Sequence, residues 1–195
     1  MEGLRITSGS DYGLRDTLEW MRTAHIGLGG NLPSVAGAPE ATLTAAAWRL
    51  ESLGRVVARS SLYSTAPVGF AEQPRFVNAV VGLETELAPR ELLDGLMKIE
   101  QEFGRDRTEG IANGPRTLDL DILLLGELIV SEPGLEIPHP RLAERAFVLI
   151  PLNEIAAEVT VPCYGQSVAQ LLSSLLDGSK NKANAVTQME YDSWK

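Results

Sequence analysis

The sequence predicts an α+β fold with a ferredoxin-like βαββαβ core, helices on one face of an antiparallel sheet and a hairpin and helix added at the C-terminal side. Three observations predict it. Apolar residues recur with strand or helix period in the order strand, helix, strand, strand, helix, strand; turn chemistry closes each segment; and all six segments lie between Ala24 and Leu125.

The first strand runs from Ala24 to Leu28 into the turn Gly29-Gly30-Asn31. Pro39 then opens a helix with Leu43, Ala47, Leu50 and Leu53 at three- to four-residue spacing, and Gly54 stands where a left-handed cap is expected. Arg55 to Ser64 and Phe76 to Glu86 are rich in β-branched and aromatic residues and read as two strands, with Pro67 and Gly69 in the loop between them. Pro89 to Phe103 is the second helix, with Leu92, Leu96, Ile99 and Phe103 on one face and Gly104 as its stop. Thr117 to Leu125 alternates as a strand, which puts Leu118, Leu120, Ile122 and Leu124 on one side and Asp119 and Asp121 on the other. The helices cover one sheet face, so the other is expected to be free for a site.

Beyond this core, Leu128 to Val130 and Leu135 to Ile137 flank Glu132-Pro133-Gly134 as a hairpin, and Val168 to Leu176 carries a helical leucine pattern. Residues 1–23 read as an N-terminal extension, 24–177 as the folded domain, and 178–195 as a polar tail expected to be disordered. Both ends are expected to be dispensable for chemistry.

The chain has 195 residues, 44% of them hydrophobic, enough for one sizeable core. Its net charge of −9 disfavours nucleic acid and anionic membrane as partners, because both demand a basic face. The single cysteine, Cys163, excludes an intramolecular disulfide or a CxxC metal site and fits a reducing compartment. No secretory leader or membrane-length apolar run is legible, so the expected location is cytoplasmic.

Asp119 and Asp121, two residues apart on a strand, share a face with their carboxylates about 7 Å apart, a spacing that suits a hard cation with oxygen ligands. A solvated acidic face is the commoner use of such a pair. Context favours the cation: Arg105, Arg107 and Arg116 put guanidinium forks beside the two acids, as a metal-bound polyphosphate requires. His139, Arg141 and Arg145 add groups able to meet the same phosphates.

The run Gly114-Pro115-Arg116-Thr117-Leu118-Asp119-Leu120-Asp121-Ile122-Leu123-Leu124 closely resembles the signature of the 6-hydroxymethyl-7,8-dihydropterin pyrophosphokinases of folate biosynthesis. Gly27 to Asn31, Tyr63 to Gly69, Gln73 to Asn78, Pro138 to Arg141, and Arg145 to Phe147 with Pro151-Leu152 resemble that family's other blocks, in its order. The likeness spans Ala24 to about Leu176. It implies diphosphoryl transfer from ATP to a pterin hydroxymethyl group, with two Mg²⁺ ions held by Asp119 and Asp121. The resemblance further implies phosphate contacts from Arg105, Arg107, Arg116, His139 and Arg145, and an acidic position near the nucleotide at Glu100. Phe76 and Phe147 match the aromatic walls of the pterin slot, Asn78 the residue that meets the pterin edge, and Thr65 and Val68 backbone contacts to it. The backbones of Ile122 and Ile137 match those that hold adenine.

Three departures stand out. Ala112 replaces a usually basic residue, the 105–116 loop expected to close over ATP is slightly longer, and Gly30 replaces the usual Ser before Asn31. A neighbouring folate-pathway enzyme is a possible partner on the same resemblance. Two other readings share the fold class. An RNA-binding module needs a basic face with aromatics, which the acidic pair and net charge oppose. A palm-type nucleotidyl transferase or cyclase would also use paired aspartates, and its product would retain the nucleotide.

Overall fold

A computed structural model describes residues 21–67, 72–106, 114–178 and 186–194. The core follows the expected order: β1 (Arg22–Gly30), α1 (Pro39–Leu50), β2 (Arg55–Arg59), β3 (Leu62–Thr65), β4 (Phe76–Thr85), α2 (Pro89–Glu102) and β5 (Asp119–Leu125). The second expected strand is broken at Ser60-Ser61 into β2 and β3, both of which pair with β4. After the core come the hairpin β6 (Val130–Glu132) and β7 (Leu135–Ile137), then α3 (Ala146–Ala156), the two-residue strands β8 (Thr160–Val161) and β9 (Gln166–Ser167), α4 (Val168–Asp177) and β10 (Val186–Met189). The main sheet is antiparallel with strand order β10-β3-β4-β1-β5.

Leu43, Ala47 and Leu50 of α1 and Leu92, Leu96 and Ile99 of α2 are buried against Ile26, Leu28, Val81, Leu83 and Leu120 of the sheet. Each such large side chain taken out of water contributes roughly 1.5–3 kcal/mol, which makes this the principal core. Glu91 reaches back to the Ala88 N–H at 3.0 Å to start α2, and Ser167 and Gln170 cap α4 reciprocally. Gly54 is not a left-handed cap; a side chain there would run into the Glu84 carbonyl, so close backbone approach explains the glycine.

The alternation expected along β5 fails after Ile122. Pairing with β1 slips between His25 and Ile26, leaving Leu123 as the extra residue of a bulge. Leu123 and Leu124 both pack on the face opposite the two core helices, and Leu125 takes the helix side. That opposite face is not free, as expected, but half covered: Val148, Leu149 and Leu152 of α3 and Leu171 of α4 pack on Val80, Leu123 and Leu124. The sequence hides α3 because AFVLIPLNEIA is apolar around most of its circumference and contains Pro151, so it shows no amphipathic stripe.

The polar tail also departs from expectation. Residues 186–194 are ordered: β10 pairs with β3 from Val186 opposite Thr65 to Met189 opposite Leu62, and Trp194 is buried in the helix-side core. Trp194 donates its indole N–H to the Ser60 carbonyl, and the Arg59 guanidinium lies 4.8 Å from the Trp48 ring and 5.7 Å from the Trp194 ring. Among the described residues no helix is long and apolar enough to cross a membrane.

His25, on β1, is 7% exposed, and its Nδ1 has no hydrogen-bond partner among the described residues. Burial pushes its pKa from 6.5 down to about 4. Below pH 6.5 the unfolded chain therefore binds a proton that the folded chain refuses. The associated stability is intact above about pH 6.5 and is lost as pH falls to about 4, by roughly 3 kcal/mol. Chemical denaturation at pH 7 and pH 4 should show that His25→Gln loses less stability than the unsubstituted protein by about that amount; equal losses would contradict the assignment.

Candidate active site

The uncovered half of the sheet forms the floor of a cleft of about 650 Å³. Register places its residues in rows. Gly29 lies opposite Asn78 on one side and Asp119 on the other, and Gly27 lies opposite Val80 and Asp121. Strands are spaced about 4.8 Å apart, so Asn78 and Asp119 stand roughly 10 Å from each other across a glycine. A Cβ at Gly29 would come 2.9 Å from Asn78 Oδ1, so the bare backbone both leaves room for a flat ligand and lets Asn78 lie over it.

Thr65, Phe76 and Asn78, from β3 and β4, line the cleft on one side of Gly29. Asn78 is 8% exposed and donates from Nδ2 to Thr65 Oγ1 at 2.7 Å, fixing the amide's orientation. Asp119 and Asp121 of β5 line the cleft on the other side, and Arg116, Arg141, Glu144, Arg145 and Phe147 complete the lining, which sets three arginines against three acids in an acidic protein. The Arg116 guanidinium lies 5.1 Å from the centre of the Phe76 ring, and that of Arg145 lies 5.6 Å from the Phe147 ring.

Asp119 is held on both oxygens. Arg105 Nη1 donates to Oδ1 at 2.6 Å and to the Leu118 carbonyl at 2.7 Å. Arg116 Nε is 3.0 Å from Oδ2, close enough for an ion pair, though its N–H is not aimed at the oxygen. Asp121 is pushed up to about 6 by burial first and by the Asp119 charge second; Arg145, Arg116 and Arg105 pull the other way. His139 is held below its ordinary value by burial and by Arg145, with Asp119 opposing, and its Nδ1 accepts the Arg141 N–H at 3.1 Å.

Several residues expected at the site sit apart from the cleft lining. Glu100 is 1% exposed at the end of α2, where Oε1 accepts the Leu120 N–H at 2.8 Å and stands 3.9 Å from Arg105 Nη1. The side chains of Ile122 and Ile137 are in the helix-side core. Val68, Arg107 and Ala112 lie outside the described residues.

The sequence reading missed Asn31 as a structural hub. Its side chain donates to Gln73 Oε1 and the Pro74 carbonyl, both at 3.0 Å, and accepts the Arg116 N–H at 2.9 Å, joining three of the family-like blocks. A side chain at Gly30 would strike the Thr117 carbonyl, which accounts for glycine at the departing position. Gly27, Gly29, Glu144 and Val186 also line the cleft. The alternate glycines of β1 were a legible signal for the first two; nothing in the sequence pointed to the others.

Residues 25–157 match the family model for 7,8-dihydro-6-hydroxymethylpterin-pyrophosphokinase (HPPK). The chain belongs to the HPPK family. It is 44% identical over 156 residues to the 2-amino-4-hydroxy-6-hydroxymethyldihydropteridine pyrophosphokinase of Pseudomonas aeruginosa, covering 79% of this chain and 92% of the relative. The Haemophilus influenzae protein of the same name is 42% identical over 166 residues, covering 84% of this chain and 99% of that protein. The mitochondrial folate synthesis bifunctional protein of Arabidopsis thaliana is 52% identical over 100 residues, which are 51% of this chain and 18% of that one. Wild-type Plasmodium falciparum HPPK-DHPS, crystallised with pteroate, superposes with a TM-score of 0.69 at 15% identity over 88% of this chain, so the two share a fold. This HPPK chain spans about half of the Plasmodium chain, 48%.

Proposed function

We infer that this chain transfers the pyrophosphoryl group of ATP to the hydroxymethyl group of 6-hydroxymethyl-7,8-dihydropterin, releasing AMP, in folate biosynthesis. The observation that carries this reading is the row Asn78–Gly29–Asp119, which sets a buried amide on one side of a bare strand and an arginine-held carboxylate on the other, on one floor in an HPPK chain.

The hydroxymethyl oxygen attacks the β-phosphorus, the bond from that phosphorus to the α-phosphate oxygen breaks, and AMP leaves. Because the phosphates bring the charge, the protein contributes mainly position and electrostatics. Phe76 and Phe147 would flank the pterin, Asn78 would meet its polar edge, and the backbones of Thr65 and Val68 would complete its recognition. Arg105 and Arg116 now hold Asp119, and they are placed to exchange that carboxylate for a phosphate; Arg145 and His139 face the same charge, and Arg107 is assigned there with them. Glu100 acts by anchoring β5 beside Arg105 near the nucleotide, and the backbones of Ile122 and Ile137 would hold adenine.

The donor set fits Mg²⁺. Two carboxylates share one half-buried face, and Asp121, raised by burial first and by the Asp119 charge second, is a carboxylate whose ionised form a divalent cation would favour. Among the described residues no group of three or more His, Cys, Asp or Glu could hold a metal, so substrate phosphates would complete the coordination, as Mg²⁺ prefers. Asp119 and Asp121 would hold the two ions, which supply charge neutralisation at the transferred group.

The bifunctional relatives support a physical neighbour from the same pathway, and the free, exposed Cys163 supports a cytoplasmic setting. The test is direct. Protein, ATP, Mg²⁺ and the hydroxymethyl dihydropterin should yield AMP and pterin diphosphate in equal amounts. A product that retains the nucleotide, with pyrophosphate released, would favour the palm-type reading instead.

A further inference from the structure

We propose that the C-terminal strand β10, latched by Trp194, is a wall of the pterin end of the cleft and that Val186 helps determine which heterocycle fits there. The proposal rests on the pterin reading above. It also reverses the expectation that the tail is dispensable.

Val186 lies directly opposite Thr65, so the two side chains share a face, and both line the cleft. Thr65 is the residue whose hydroxyl orients Asn78. Without β10, the four-residue strand β3 would be an edge with unpaired backbone groups, and Thr65 would be held from one side only. β10 therefore acts twice, by supplying an apolar side chain and by fixing the threonine.

The strand is tied to the remaining walls by a polar network. Gln188 Nε2 donates to Ser61 Oγ at 2.8 Å, and Ser61 donates from Oγ and from its backbone N–H to the two oxygens of Glu154, at 2.7 and 2.8 Å. Tyr63 donates to the same carboxylate at 3.0 Å. Glu154 belongs to α3, whose first turn carries Phe147 into the cleft. So β10, β3 and α3 form one hydrogen-bonded frame around the pterin end.

Trp194 closes the frame from behind. The chain after β10 rounds the sheet edge, Met189 and Tyr191 pack on the helix-side core, and Trp194 is buried within it. Its bond to the Ser60 carbonyl grips the break between β2 and β3, where β3 begins. The HPPK match ends at residue 157, so this wall is supplied by sequence outside the matched region.

Steady-state constants for both substrates and pterin dissociation by fluorescence, measured on the full chain, a chain lacking 186–195, and full-length Val186→Trp, test the proposal. Both variants should raise the pterin KM and dissociation constant by about tenfold or more while the ATP KM moves no more than about twofold, because a misfitted apolar wall penalises the ligand it touches. Pterin constants within twofold of the full chain in both variants would overturn it. So would equal weakening of both substrates, which would mark β10 as support for the fold alone. If the shortened chain does not fold, Val186→Trp decides, with thermal unfolding as its control. A full chain that binds no pterin would overturn the functional reading and this inference together. A full chain that turns over while the variants match it overturns this inference only.

Discussion

Asp121→Asn is expected to lower turnover by about a thousandfold or more, roughly 4 kcal/mol of transition-state stabilisation, while making the metal-free protein more stable at pH 7. The two effects have one cause. Asp121 sits in a crowded, half-buried place where burial and the Asp119 charge oppose its ionisation, raising it from 3.8 to about 6. A group raised in the folded state adds stability that is present in full below about pH 3.8 and lost as pH rises through about 6. At neutral pH the ionised carboxylate therefore costs the fold up to about 3 kcal/mol, which a neutral amide of equal size avoids. Asp119→Asn should damage turnover comparably and have the opposite effect on stability. Its carboxylate answers Arg105 and Arg116, so the amide forfeits charge-assisted contacts and costs roughly 1–3 kcal/mol. Kinetics with Mg²⁺ and thermal unfolding without it separate these outcomes. Turnover within a few-fold of the unsubstituted enzyme in either variant would remove both aspartates from the metal assignment.

The parts of the fold legible in the sequence are those whose side chains repeat with the period of their element. The α2 stripe of Leu92, Leu96 and Ile99 and the β5 alternation up to Ile122 both survive in the structure. What stayed hidden has no period. The bulge at Leu123 inserts one apolar residue into an apolar run, and since every neighbour is also leucine the change of face leaves no trace in composition. Helix α3 is apolar on nearly all sides because it is packed between the sheet and α4. β10 is four residues long and half polar, and what holds the segment is tertiary: its pairing with β3 and the burial of Trp194. The site divides in the same way. The acids and arginines announce themselves by chemistry and spacing. Glu100, with the same chemistry, turns out to be buried as a strand anchor, because residue type cannot tell which side of β5 an acid approaches.

The second large effect concerns Asn78. Asn78→Ala should weaken pterin binding about a hundredfold, or roughly 2.7 kcal/mol, with ATP binding changed only a few-fold. Asn78 is almost fully buried, its Nδ2 is committed to Thr65, and its remaining polar capacity faces the cleft floor over Gly29. Truncation thus removes the group assigned to the heterocycle's edge and leaves the Thr65 hydroxyl without its donor, two losses in a place that water reaches poorly. The nucleotide end is spared because two strand spacings, about 10 Å, separate Asn78 from Asp119. Gly29→Ala supplies an internal control that leaves Asn78 in place. Its Cβ, 2.9 Å from Oδ1, forces the amide to shift, so pterin affinity should fall in the same direction by a smaller factor, about tenfold, with ATP again little affected. Calorimetric titration of each variant with pterin and with a non-hydrolysable ATP analogue reads both numbers. If Asn78→Ala binds pterin normally, the heterocycle lies elsewhere in the cleft. If Gly29→Ala alone is harmless, the floor has enough give to absorb a methyl group, and the orientation of Asn78 is set by Thr65 rather than by the bare strand beneath it.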